Sequence, residues 1–195
     1  MGIVRERLLR LAAASTLATA AVVALPVGSQ ATTVASVTLT GGRLAFIDDA
    51  PAATISFPTA ALNDANRSIR APLRVDTSDA TGSGAGWKLT ATSTTFTSGA
   101  NALPTTATTI QSAPTDACDK GAAGCTTATT TDSYPYTLPA APTAPTATEL
   151  FNAAANTGMG GQTFTAIWTL AIPANAVAST TPYASTWTFS LVTGP

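Results

Sequence analysis

The sequence has no histidine at all, and only 10% of its 195 residues are charged. The first absence removes histidine-based triads, histidine-assisted thiol catalysis and the usual zinc sites. The second leaves few groups for acid–base chemistry or for electrostatic capture. No basic cluster is present that would neutralise nucleic-acid phosphates. Arg67, Arg70 and Arg74 come nearest, and their spacing along one strand-like segment reads as a solvated face. Long apolar runs are also missing beyond the N-terminal one, so no membrane span is expected. Aromatic residues make up 6% of the chain, so each tryptophan carries unusual weight in any core.

What is present begins with a leader pattern. "MGIVRERLLRL" places Arg5, Arg7 and Arg10 ahead of the uncharged run "AAASTLATAAVVALPVG". "SQA" follows, with the small residues Ser29 and Ala31 at the −3 and −1 positions of a cleavage site. This is the layout of a secretory signal peptide over residues 1–31. The apolar run is short, interrupted by threonine and ended by Pro26, unlike a spanning helix. Residues 32–195 are then expected to form one domain, a size that suits a single core. Removing three arginines and Glu6 takes the net charge from −1 for the whole sequence to near −3 for the mature chain. "LVTGP" closes the sequence without a hydrophobic tail, so attachment to a surface is expected to be non-covalent or through a partner.

Cysteine usage agrees with export. Cys118 and Cys125 flank the Gly-containing "DKGAAG", and two cysteines this close in an oxidising compartment are expected to pair. A redox-active pair would instead favour the C-x-x-C spacing, which is absent.

The body of the chain reads as all-β. Thr, Val and Ile alternate with polar residues between Gly, Pro, Asn and Asp punctuation. Candidate strands cover 34–40, 43–48, 53–58, 69–78, 86–96 and 106–112. The Pro-rich stretch 126–148 suits a strand or two leading into a crossover rather than a central strand. One short helix is expected near 148–157, with Thr148 as N-cap and "GMGG" as its stop. "QTFTAIWTLAIP" puts Phe164, Ala166, Trp168, Leu170 and Ile172 on one face, and "YASTWTFSLV" does the same for Tyr183, Ser185, Trp187, Phe189 and Leu191. The connection "ANAVASTTP" suits a hairpin with a longish loop. The expected architecture is an antiparallel β-sandwich of immunoglobulin-like or Greek-key type.

Each tryptophan stands two residues before a large apolar side chain: Trp87 before Leu89, Trp168 before Leu170, and Trp187 before Phe189. In a strand such a pair shares a face, with Lys88 turned to the other side. The pattern reads chiefly as core packing, where at ~25 cal/mol per Å² a tryptophan dominates, with part of a gripping surface as the alternative. Asp48, Asp49, Asp76 and Asp79 are formal candidates for a two-carboxylate glycosidase, and Asp76 and Asp79 for calcium, yet turn chemistry explains all four. Neither an enzyme nor a resident cofactor or metal is expected. Asn66-Arg67-Ser68 has the form of a glycosylation triplet and reads as a turn. A second class of function, a self-assembling structural subunit of a surface or matrix, fits the scarcity of lysines guarding the strand edges.

"VDTSDATGSGAGWKLTATSTTF", followed distantly by "PYASTWTFSLVTGP", resembles the WxL domain family of Gram-positive secreted proteins. Trp87-Lys88-Leu89 matches the first Trp-x-Leu, after a Gly-rich approach through Gly82, Gly84 and Gly86. Tyr183, Thr186-Trp187-Thr188-Phe189 and Pro195 resemble the second motif, with Phe189 where leucine is usual and the intact Trp-Thr-Leu at Trp168–Leu170. "ELFNAAANTGMGGQTF" resembles the family's segment before its closing strands. The resemblance implies non-covalent attachment to peptidoglycan or another wall polymer at a Gram-positive cell surface, with other surface proteins as partners. It also implies binding roles for Trp87, Lys88, Leu89, Trp168, Leu170, Tyr183, Trp187 and Phe189.

Overall fold

The computed structural model describes residues 33–119 and 124–194. The expected leader, residues 1–31, lies outside the described residues. The chain divides into two units, Met1–Thr38 and Leu39–Pro195. Of the first, residues 33–38 are described; they form neither strand nor helix and are exposed.

The second unit is built from strands, and no helix occurs among its described residues. In chain order they are β1 (Leu44–Phe46), β2 (Arg67–Asp79), β3 (Trp87–Thr94), β4 (Thr97–Ser98), β5 (Asn101–Ala102), β6 (Thr108–Ile110), β7 (Thr115–Cys118), β8 (Tyr136–Thr137), β9 (Ala140–Ala141), β10 (Thr148–Ala153), β11 (Gly160–Ile172) and β12 (Trp187–Thr193). The larger sheet runs β1-β2-β11-β6-β8, with β7 also on β11; the smaller runs β10-β3-β12, with β9 joining β3. All pairs are antiparallel except β3 with β9.

Period-2 patterning explains the long strands. β11 buries Gln162, Phe164, Ala166, Trp168, Leu170 and Ile172 and turns the alternate side chains away. It pairs along its whole length with β2, where Ala71 lies opposite Trp168 and Val75 opposite Phe164, so small residues make room for large rings. β3 buries Trp87, Leu89 and Ala91 on its inner face. These residues, with Leu73, Ile110, Leu138, Phe151 and Phe164, form one core contributed by both sheets.

Four expectations are corrected. Residues 148–157 are not a helix: Thr148–Ala153 is strand β10, paired with β3 through a register shift between Glu149 and Phe151. That bulge lets four successive residues, Leu150 to Ala153, be buried, which breaks the alternation and imitates a helical pattern. Residues 34–40 and 53–58 form no strand and pair with none, because strand propensity needs a neighbouring edge to bond. The "ANAVASTTP" connection is not a hairpin: β11 belongs to the larger sheet and β12 to the smaller, where it pairs with β3. The Pro-rich stretch does act as a crossover, with β8 in one sheet and β9 in the other.

Two local devices fix the end of the core where β3 begins. Trp87 is completely buried, and its indole N–H donates to the Gly158 carbonyl at 2.9 Å. Gly158 has a φ of 70°, and a Cβ placed there would lie 2.7 Å from Trp87 Nε1. Nearby, Cys118 and Cys125 form a disulfide with their Cα atoms 5.6 Å apart, joining the end of β7 to the segment that bridges to Met159. Asp116 on β7 accepts the Ala128 N–H at 2.6 Å through one oxygen, while the other is buried without a hydrogen-bond partner.

Two outcomes follow from these devices. Gly158→Ala should lower unfolding stability by ~2–4 kcal/mol, combining φ strain with displacement of Trp87, whereas Gly82→Ala, with nothing within 4 Å, should cost only ~1 kcal/mol. Chemical denaturation of both variants checks this. Burial pushes the Asp116 carboxyl above its ordinary value, although backbone N–H groups partly oppose it. The folded state therefore holds this proton more tightly, and its favourable contribution fades as pH rises through the folded pKa. Asp116→Asn should raise Tm at neutral pH and flatten the pH dependence of Tm above about pH 4.

Candidate functional site

The expected binding residues separate into two groups. Trp87 and Leu89 are buried at the β3 end of the core, and the Trp87 ring lies 5.3 Å from Phe164 and 6.1 Å from Phe151 by centroid. Lys88 faces outward, its Nζ 3.4 Å from a Glu149 carboxylate oxygen. Neither of the two grooves described below is lined by Trp87 or Lys88. The other five, Trp168, Leu170, Tyr183, Trp187 and Phe189, meet at the side of the domain where β2 and β12 leave the sheets open.

There the aromatic rings join in a chain. Trp168, fully buried on β11, meets Trp187 on β12 with ring centroids 4.7 Å apart. Its own N–H has no hydrogen-bond partner, so ring packing alone holds it. Trp187 is partly exposed and lies against Phe96 and Phe57 in turn. Phe57 comes from an irregular strap, residues 51–64, that connects β1 to β2 in sequence. Among the described residues, no backbone hydrogen bond joins the strap to another segment. Ile55 and Phe57 hold it to the core by side-chain packing alone. Trp187, Phe189 and Leu191 remain only partly buried because they stand at this open side.

Two grooves flank the strap. The larger, about 570 Å³, has a floor of Phe57, Phe96, Leu103, Leu170 and Ile172 and a wall at Tyr183. Exposed Leu62 and Val177 stand on its rim with the hydroxyls of Ser56, Thr59 and Thr180. Its lining contains no charged side chain. Tyr183 donates its hydroxyl to the Val177 carbonyl at 2.8 Å, folding the β11–β12 connection over the groove. The second, about 470 Å³, lies between the start of the strap and the run from Tyr183 to Phe189, with Leu73 and Phe96 at its base.

The acidic candidates are committed to structure. Asp48 and Asp49 have φ values of 54° and 56° in the turn after β1. Asp76 is buried and accepts Arg74 Nε–H at 2.8 Å and the Thr163 hydroxyl at 2.6 Å. Asp79 accepts the Thr81 N–H and hydroxyl at 2.9 and 2.7 Å, closing a turn. Asn66 accepts the Ala174 N–H at 2.9 Å. Among the described residues no group of three His, Cys, Asp or Glu side chains is placed to hold a metal ion, and no helix is long and apolar enough to cross a membrane.

Sequence reasoning missed the strap and the two phenylalanines, Phe57 and Phe96, that build the groove floor. Both stand at the ends of segments patterned as strands, and the one available signal was an aromatic where a strand should stop.

The family model described as WxL domain surface cell wall-binding matches residues 49–195. No curated protein and no solved structure matches the chain.

Replacing Ile55 and Phe57 together by serine should release the strap while leaving the β2–β11 ladder intact. Limited proteolysis within residues 51–64 should accelerate by at least about tenfold, the effect of ~1.4 kcal/mol on a local opening equilibrium. Tryptophan emission should shift to the red as Trp187 gains water.

Proposed function

The chain belongs to the WxL domain surface cell wall-binding family, and from that premise we propose that it is a non-enzymatic surface protein whose uncharged groove binds the glycan strand of Gram-positive peptidoglycan. The domain that carries the groove is read as an immunoglobulin-like or Greek-key sandwich over residues 32–195, exported by the leader 1–31 and held on the wall without a covalent link.

The observation that carries this reading is the chemistry of the 570 Å³ groove. Phe57, Phe96 and Tyr183 offer aromatic surface for the C–H faces of sugar rings, and threonine and serine hydroxyls at the rim suit sugar hydroxyls and acetamido groups. An anionic wall polymer rich in phosphate would call for lysine or arginine, and the lining has neither. Leu170 and Tyr183 serve the groove directly. Trp168, Trp187 and Phe189 support its floor and its neighbour. Trp87 and Leu89 hold the scaffold, and Lys88 is paired beside them.

The test is co-sedimentation of the chain with purified Gram-positive sacculi, with an unrelated soluble sandwich as control. Saturable pelleting is expected, unchanged after anionic polymers are stripped from the sacculi and weakly dependent on salt. Tyr183→Ala should weaken it by about tenfold or more, on the scale of one lost aromatic contact of ~1–1.5 kcal/mol, with circular dichroism showing the fold retained. No pelleting across a broad range of pH and salt would overturn the reading.

A further inference from the structure

An unpaired strand edge and an unpaired strand-like segment occur on the same chain. β12 pairs with β3 on one side through Thr188, Ser190 and Val192, following the Thr94 N–H to Thr186 carbonyl bond at one end and the Gly194 N–H to Gly86 carbonyl bond at the other. Antiparallel pairing alternates, so the N–H and C=O groups of Trp187, Phe189 and Leu191 face the opposite edge. Among the described residues none of these groups has a backbone partner, although β1 comes near. The edge carries no proline and no charge from Trp187 to Thr193, the devices that normally discourage pairing. Beside its first half lies the 470 Å³ groove, with an apolar base at Leu73 and Phe96.

The segment 34–40, "VASVTLT", has the complementary character. It is uncharged and alternating, as long as β12, and it exposes Val34, Val37 and Leu39 by 93, 82 and 88%. Exposure of three large apolar side chains on seven strand-forming residues is costly unless something covers them. β2 pairs with β11 along its length and with β1 at its end, and its remaining free stretch bears Pro72. β10, the opposite edge of the smaller sheet, carries the charged Glu149 and is bonded by Thr130 and Thr131 through Asn152, so β12 is the neutral edge of that sheet.

We propose that residues 34–40 of one copy add as an antiparallel strand to the β12 edge of a second copy. Pairing Leu39 with Trp187, Val37 with Phe189 and Ala35 with Leu191 puts the apolar face of the segment into the 470 Å³ groove. It also lets each pair exchange two backbone hydrogen bonds. The same register sets Val34 beside Val192, which is 44% exposed on the outer face of β12. Each copy keeps a donor segment and an acceptor edge, so the contact is head-to-tail and propagates into chains of copies. This is independent of glycan binding, which uses the groove on the other side of the strap.

The test measures mass by light scattering over a concentration series of the purified secreted chain. The expected result is a mass that climbs above the monomer with concentration. Val37→Asp with Leu39→Asp should remove the donor, and Thr188→Lys with Ser190→Lys should guard the acceptor; each variant should stay monomeric with an unchanged circular dichroism spectrum. Val37→Pro, which deletes a ladder donor but stays apolar, should lose assembly as well. Mixing the donor-deficient and edge-guarded variants should restore a complex of two copies and no more, since one intact junction is available. A wild-type chain that is monomeric at every concentration, variants that assemble like wild type, or a mixture that stays monomeric would each overturn the proposal. Sacculus pelleting of the monomeric variants reads glycan binding separately.

Discussion

The contact between Trp168 and Trp187, ring centroids 4.7 Å apart, is the point at which the two sheets are tied on their open side. A chain with so much alanine and threonine has few large apolar groups, and at ~25 cal/mol per Å² most of its core energy must come from a handful of rings. Trp168 sits opposite Ala71 on one neighbour and Ile110 on the other, so β2 leaves the space the indole needs. Trp187 then extends the cluster outward to Phe96 and Phe57. The strap has no ladder bonds of its own and lies where it does because these rings offer it an apolar seat. Both grooves exist because the strap fills that seat incompletely.

The first Trp-x-Leu plays a different role. Trp87 spends its N–H on Gly158 and its ring on Phe151 and Phe164, so the Gly-rich segment after β10 and the Gly-rich approach to β3 are held by a single side chain. The motif that identifies the family is thus, in this chain, mainly a fold determinant. The surface of the proposed binding groove comes instead from the strap and the β11–β12 connection. A tryptophan buried at 0% exposure cannot touch a polymer without unfolding its surroundings.

Scarcity of charge shapes the outside as well. Among the described residues the ion pairs, Arg74 with Asp76 and Asp119 and Lys88 with Glu149, sit on the outer faces of the sheets and leave the grooves and the β12 edge neutral. Neutral hydroxyl-rich surfaces recognise sugars without the desolvation cost of ions. The same neutrality leaves strand edges unguarded, so the proposed glycan binding and the proposed association between copies would draw on one compositional choice.

Local patterning settles the class and much of the core. Alternation placed Phe164, Ala166, Trp168, Leu170 and Ile172 on one buried face, and Trp187 and Phe189 on another, because a strand's side chains have no freedom but to alternate. The all-β class and the proximity of Cys118 to Cys125 were legible in the local chain as well, and the family was legible through the resemblance carried by Trp87-Lys88-Leu89 and the segment from Tyr183 to Pro195. Which strands become neighbours is fixed at the tertiary level instead. Residues 148–157 read as a helix from Thr148 as a cap and "GMGG" as a stop, whereas Thr148–Ala153 pairs with β3 as a bulged strand. Residues 34–40 and 53–58 read as strands and lack partners, and β11 and β12 read as a hairpin yet occupy different sheets. Propensity is a property of the local chain, whereas pairing depends on which distant edge is free and which rings are already in place. The grooves are legible only in three dimensions, since Phe57, Phe96 and Tyr183 are far apart in sequence: the two phenylalanines meet through their rings, and the Thr97–Ala184 bridge brings Tyr183 beside them.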